Sequence, residues 1–555
     1  MNSDTNLFES GQGKQQSYRE YGTGGKPVDT DIEANVEVVP GEITKDQPRI
    51  QHEDQLKRGL SARQVQMIAI AGVIGTGLFL GTGKSLATGG PASMLICYAI
   101  IGVIVYLTMI ALGEMTAFIP IAGSFCTYAT RFVDPSLGFA LTWNYWFNDA
   151  VSTASDLTAL QLVFQYWTDF PSWIISLIFW LFLIAINIVH VKAYGEMEYW
   201  LAFLKVITII IFIIVGIVVN CGANSHHEYL GFHYWHIGDA PFVDGFRGFA
   251  SVFVTAAFAY GGTESIGVTA GETANPSRTM PKVVRTVFFR IIAFYILSIL
   301  IIGINVPYNY PGLSEGEAAT SPFTLVFQLA GSKVAGSFIN AVIVTSVISA
   351  GNHALYAGTR LMYTLGMEGY APKFVSKLTK NRIPWVSLLI TSLIAGLCFG
   401  SSFIGAGTLW TWLQNLVGVS NQLSWLSIGL TSIRFRKALA KQGKTDLLPY
   451  RNWTYPWGPW IVVVGCAVII LVQGWSAFAP WDVSSFFSMY IELFIMPALY
   501  VAWKLWSRSK VVKLDEMDLE TDRYYPTPEE IARNEAEDNL KGWAKFRNAF
   551  VSFFV

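Results

Sequence analysis

Between residues 67 and 506 the chain alternates long apolar runs with short polar connections. The runs reach roughly 20 residues, the length a helix needs to cross a ~30 Å hydrocarbon core. Twelve can be drawn, near 67–87, 91–119, 136–166, 172–190, 199–219, 247–270, 285–305, 334–362, 385–403, 407–433, 459–479 and 484–506. They predict an all-α integral membrane protein, because lipid offers no partner to a backbone amide or carbonyl outside a helix or a closed barrel. Two runs are broken by glycine. The first contains Gly72-Val73-Ile74-Gly75-Thr76-Gly77 and the sixth Tyr260-Gly261-Gly262-Thr263-Glu264. Interrupted backbone persists at membrane depth only where protein or a cavity surrounds it, and a matched pair of breaks in two halves of a chain points to the substrate site of a secondary carrier.

Hydrophobic residues make up 52% of the 555 and charged residues 14%, in keeping with a polytopic membrane protein. The net charge of −1 adds little, but the placement of the basic residues adds orientation. Lys373, Lys377, Lys380 and Arg382, like Arg434, Arg436 and Lys437, follow even-numbered spans, whereas connections after odd-numbered spans offer only Lys84, Lys333 and Arg247. Short basic loops stay in the cytoplasm, so both termini are expected there. Residues 1–60 are polar, rich in Gly and charge, and lack an apolar signal core, which predicts a disordered tail. Residues 61–510 then form the membrane domain and 511–555 a cytoplasmic tail. The five Cys lie mostly within spans, with no CxxC pair, and read as buried apolar thiols.

Some motifs mislead. Gly81-Thr82-Gly83-Lys84-Ser85 resembles the end of a phosphate-binding loop, but the glycine required five residues before its Gly-Lys pair is replaced by Leu78. Nucleotide binding, and an ATP-driven pump with it, is set aside. His226, His227, His233 and His236 cluster in the long loop after span five without a ligand spacing, so no metal is expected. No catalytic triad or nucleic-acid motif is present, and no enzyme activity is expected.

Ionisable residues inside a membrane are costly and mark function by default. Glu264 follows the second break, where it could accept a proton or satisfy unwound amides. Lys205 lies early in span five, and could snorkel to the cytoplasmic face or, by resemblance to sodium-driven carriers, occupy the place where those hold a cation. Asp149 and Asp156 stand seven residues apart, two helical turns, on roughly one face, with small and hydroxyl residues between them. Two carboxylates on one cavity would attract a cationic side chain. Glu114 could be structural or conformational, and Glu492, near the start of span twelve, reads as peripheral.

Gly-Val-Ile-Gly-Thr-Gly-Leu-Phe (72–79), Leu-Gly-Glu-Met (112–115), Tyr-Gly-Glu-Met-Glu-Tyr-Trp (194–200), Gly-Gly-Thr-Glu (261–264), Ala-Gly-Glu-Thr-Ala-Asn-Pro (270–276) and Gly-Tyr-Ala-Pro (369–372) together resemble the fungal amino-acid permeases of the amino acid, polyamine and organocation superfamily. The resemblance spans residues 58–523 and implies twelve transmembrane helices in a LeuT-like 5+5 inverted repeat (67–219 and 247–433), with discontinuous helices 1 and 6 and accessory helices at 459–506. It also implies proton-coupled amino-acid uptake at the plasma membrane, without a further cofactor. The substrate α-carboxylate would meet the amides of Gly75, Thr76 and Gly77, at the positive end of a half-helix. Carbonyls of Ala259, Tyr260 and Gly261 would receive its α-ammonium. The side chain would be read by Asn148, Asp156, Ser349, Asn352, Gln414, Val417 and Ser420, with Glu264, Lys205 and Glu114 serving coupling or gating.

Segments 473–480, 306–309 and 518–523 look most like the arginine and lysine branch, and Asn148 resembles its lysine-preferring type. Asp156 stands where those carriers have Glu, and Val417 replaces a hydroxyl-bearing residue. The expectation is a cationic amino-acid importer, with a broad-range or neutral permease, or an amino-acid sensor with little flux, as the alternatives. Tail lysines such as Lys14, Lys26, Lys45 and Lys57 suit ubiquitin-ligase machinery as a partner.

Overall fold

The computed structural model describes residues 74–532 except 122, 169, 190, 226, 271–274, 314–320, 332 and 479, together with residue 543 and the backbone of two strands near the N-terminus. The chain divides into an N-terminal unit, Met1–Gln55, and a main unit, Leu56–Val555. In the first, β1 (Gln16–Tyr21) and β2 (Pro27–Ile32) pair antiparallel from Gln16 opposite Ile32 to Tyr21 opposite Pro27. The sequence expectation here is a disordered tail. In the sequence, the alternation Val28, Thr30, Ile32 following the pair Gly24-Gly25 supplies the local reason for pairing. The tail lysines, and residues 67–73 of the first broken span, lie outside the described residues.

The main unit is helical. Among the described residues its helices are α1 (Thr76–Phe79), α2 (Gly81–Phe118), α3 (Ser124–Phe132), α4 (Pro135–Phe164), α5 (Ser172–Val189) and α6 (Val191–Asn220). After a long loop come α7 (Gly245–Tyr260), α8 (Ile266–Thr269), α9 (Pro276–Arg290), α10 (Leu297–Asn305) and α11 (Pro322–Leu329). The rest are α12 (Lys333–Met367), α13 (Trp385–Ala395), α14 (Ser401–Ile404), α15 (Ala406–Lys441), α16 (Trp457–Val472) and α17 (Val483–Ser507). Two predicted spans share α2, which is kinked at Gly90-Pro91. A π-helical turn at Ile291–Ile296 joins α9 and α10 into one span. Starts are set by capping: the Asp134 carboxylate accepts from the Ser136 amide before α4, and Asp482 accepts from Ser484 and Ser485 before α17.

Among the described residues seven helices are long and apolar enough to cross a membrane. The others fall short for physical reasons. Helices α4 and α15 are long but carry the buried polar groups of the interior, and α7 ends early at the break. The distribution is that of a protein dissolved in lipid. Phe403, Leu471 and Leu393 are exposed on the outside, while Asn148, Asp156, Lys205, Glu264 and Arg290 are buried.

Residues after α17 run along the helix ends. The Val512 amide donates to the Val133 carbonyl at 2.9 Å and the Tyr524 amide to that of Phe118 at 3.1 Å. Arg131 pairs with Asp522 at 2.8 Å, Gln442 bonds the Met517 carbonyl at 2.9 Å, and Met517 and Leu519 are buried. The start of the expected C-terminal tail is therefore packed structure. Four of the Cys are buried and Cys221 is exposed.

Candidate substrate site

Both glycine breaks change the backbone direction. Gly75 precedes α1 with φ −151° and ψ −138°, and no side chain caps the helix. The amides of its first turn thus have no intrahelical acceptor. At the second break α7 stops at Tyr260, Gly261 turns to ψ 154°, and Gly262 takes φ +78°, where a side chain would be strained. The Thr263 hydroxyl donates to the Tyr260 carbonyl at 2.7 Å, and that of Ser265 to the Gly262 carbonyl at 2.6 Å. The two breaks touch: a Cβ added at Gly77 would lie 2.3 Å from Ala259 Cα, so only glycine lets these backbones approach.

A cavity opens where they meet. Gly75, Thr76 and Gly77 line it from one side, and Ala259, Gly261 and Gly262 from the other. Helix α4 contributes Asn148, Asp149, Ser152 and Asp156. Helix α12 contributes Ala350, His353 and Ala354, and α15 contributes Val417 and Asn421. Of the expected carbonyls, that of Ala259 accepts from Tyr295 Oη at 2.7 Å and that of Tyr260 is taken by Thr263. The Tyr260 ring turns away and stacks on Tyr295 at 4.2 Å.

The remaining expected pocket residues separate. Ser349 and Asn352 lie on the α12 face toward α6, not on the cavity wall. Gln414 is buried beside Gly81, with neither amide atom bonded. Ser420 accepts from Asn144 at 2.7 Å, while Asn148 donates to Asn421 at 3.1 Å. Asn421 in turn donates to the Ala257 carbonyl at 3.3 Å, tying α4 and α15 to the end of α7.

Two ionisable networks flank the cavity. In the first, Asp156 accepts from the Thr76 hydroxyl at 2.7 Å. Lys205 donates to Ser349 at 2.9 Å, Ser349 to Glu198 at 2.6 Å, and Asn352 to Glu198 at 3.0 Å. Lys205 therefore does not snorkel; it is buried and held within protein. Glu198 escapes the sequence reading because the span is drawn from 199, although its seven-residue spacing from Lys205 places both on one face. Lys205→Met should remove uptake and lower thermal stability, because it leaves Glu198 buried without its cation, a loss of about 3–5 kcal/mol. Lys205→Met with Glu198→Gln should recover much of the stability but not the uptake. Thermal unfolding and uptake of the single and double variants check this.

In the second, Glu264 accepts from Tyr145 Oη at 2.8 Å and from Trp425 Nε1 at 2.9 Å. Arg290 donates to Thr263 at 2.6 Å, and His353 Nε2 lies 2.5 Å from Ser265 Oγ. With the Ser265 proton directed at Gly262, the imidazole is the donor. The glycine motif marked the break, but nothing in the sequence pattern singled out Arg290 or His353, which come from other helices.

Glu114 is remote from this site. It accepts from the Asn452 amide at 2.7 Å and pairs with Arg436 at 3.6 Å. Glu492 is not peripheral as its position suggested; it is 4% exposed and lies against Ser420, because α17 turns that face toward α15. No cluster able to hold a metal occurs among the described residues.

Broken helices apposed around a buried polar cavity, in a bundle with an apolar exterior, define a secondary carrier. The family pattern described as amino acid permease matches residues 64–516, and the chain belongs to that family. It is 48% identical over 487 residues to a probable amino-acid permease of Schizosaccharomyces pombe, covering 84% of this chain and 96% of that protein. It is 41% identical over 469 residues to the lysine-specific permease of Escherichia coli (83% and 96% covered). With the basic amino-acid permease of Saccharomyces cerevisiae the identity is 38% over 490 residues (85% of each). These relatives are permeases rather than enzymes, and the family carries the twelve-span LeuT-like architecture.

Proposed function

We propose that the protein is a proton-coupled importer of cationic amino acids in the plasma membrane, with both termini in the cytoplasm and no other cofactor. The observation that carries this reading is the cavity between two helix breaks, lined by peptide groups and by two aspartates. The first-turn amides of α1 present partial positive charge to a carboxylate. Carbonyls at the end of α7, Gly261 foremost, face the α-ammonium. Both contacts ignore the side chain, which extends among α4, α12 and α15.

Lys205 supports proton rather than sodium coupling, since a fixed ammonium leaves no need for a metal cation in that network. Glu264, which accepts from two buried donors beside the second break, is the carboxylate proposed to carry the proton. The acidic lining and the lysine-specific and basic permease relatives favour a cationic substrate. The N-terminal lysines are the proposed contact for ubiquitin-ligase machinery. Labelled lysine uptake should rise as external pH falls, collapse with a protonophore and ignore sodium removal. Uptake that survives the protonophore and requires internal amino acid would make the protein an exchanger instead.

A further inference from the structure

We infer that Asp149, rather than Asp156, is the specificity-determining carboxylate that receives the distal cationic group of the substrate. This inference rests on the carrier reading above and adds which residue selects the side chain. Both aspartates line the cavity and both are at least nine-tenths buried, yet their surroundings differ.

Asp156 is already engaged. Its Oδ1 accepts from Thr76, and the Lys205 ammonium acts on it electrostatically. It therefore sits at the α1 break, where the amino-acid backbone docks, with a protein donor and a protein cation, shared with Glu198, already acting on it. Asp149 is 4% exposed, and among the described residues its carboxylate has no hydrogen-bond partner, Oδ2 being buried outright. The charged group that acts on it is a second carboxylate, Glu264, of like sign. A buried acceptor with no donor, facing a cavity beside another acid, calls for a cation from the ligand.

The spacing agrees. Seven residues along α4 separate the aspartates by roughly 10 Å of helix rise. An extended lysine side chain places its ammonium roughly 6 Å from the α-carbon. With the backbone held near Thr76, a lysine or arginine head group reaches the Asp149 end. Asn148 and Ser152, also on the wall, offer polar atoms along the way.

The test uses the full chain reconstituted in vesicles, with lysine and norleucine, its analogue with a neutral side chain, competing against labelled lysine or, in variants that lose it, labelled norleucine. Asp149→Asn should weaken lysine relative to norleucine by at least about tenfold, the cost of losing one partner of a buried charge pair. Asp149→Glu should keep the preference, and Asp156→Asn should lower both ligands together. Should Asp149→Asn fail to reach the membrane, Asp149→Ser makes the same comparison with a smaller side chain. An unchanged lysine-to-norleucine ratio in Asp149→Asn, whether with equal loss of both or with only a shifted pH profile, overturns the inference and makes Asp149 structural or proton-carrying. A wild-type protein that prefers norleucine also overturns it while leaving the carrier intact; one that carries neither defeats the cationic-importer reading on which the inference rests.

Discussion

Gly77→Ala is expected to reduce amino-acid uptake by roughly a hundredfold, the scale on which a displacement of about 1 Å acts on a positioned site. The new Cβ would fall 2.3 Å from Ala259 Cα and 2.9 Å from its Cβ, so two backbones rather than a pliant side chain must separate. Overpacking of this kind costs about 1–3 kcal/mol, which a bundle of this size can survive while the alignment of the two breaks is lost. A parallel change at Gly400, whose added Cβ would lie in ordinary contact at 3.6 Å from Leu409, should leave uptake near normal. Uptake per molecule at the membrane, measured for both variants, checks the pair. Equal behaviour would mean that the α1–α7 contact is not part of the site.

Glu264→Gln should fold, yet uptake should no longer rise with external acidity. Trp425 can only donate, so the amide oxygen must take its place there; the amide nitrogen then faces Tyr145, whose hydroxyl can accept. The charge is gone while both contacts remain. Glu264→Leu should differ, because it strands two buried donors at about 1–3 kcal/mol each and should lower thermal stability as well as uptake. A pH profile of initial rate for the wild type and Glu264→Gln, read beside thermal unfolding of both variants, makes the distinction. An unchanged profile in Glu264→Gln would take the carboxylate out of the proton path.

Much of the architecture is legible in the sequence because lipid enforces it. A chain that must satisfy its backbone internally announces its helices as apolar runs, and announces its site where glycine breaks them, as at Gly75-Thr76-Gly77 and Gly261-Gly262. The facing of buried helices is less legible. Helix α12 is packed on most sides, so its periodicity does not say that Ala350 and His353 turn to the cavity while Ser349 and Asn352 turn to Lys205 and Glu198. The same blindness placed Glu492 at the periphery, although α17 brings it against Ser420. Glu198 falls just outside a span drawn from 199, whereas α6 begins at Val191. Residues acting across helices, such as Arg290 on Thr263 or Tyr295 on Ala259, have no local signature at all.

The networks also divide the labour. Asp156, Thr76, Lys205 and Glu198 link the first break to α4, α6 and α12 without using the second. Glu264, Tyr145 and Trp425 hold the second break to α4 and α15. A substrate spanning both breaks would bridge these two groups, so its binding energy can be spent on moving one against the other, as a carrier requires.

The most direct measurement compares lysine with two truncated analogues, cadaverine, which lacks the α-carboxylate, and 6-aminohexanoate, which lacks the α-ammonium, as competitors for lysine uptake into vesicles under an inward proton gradient. Lysine should compete strongly and both analogues weakly, because each leaves one helix break unsatisfied. Cadaverine or 6-aminohexanoate competing as well as lysine would contradict a site built from the peptide groups of the two broken spans.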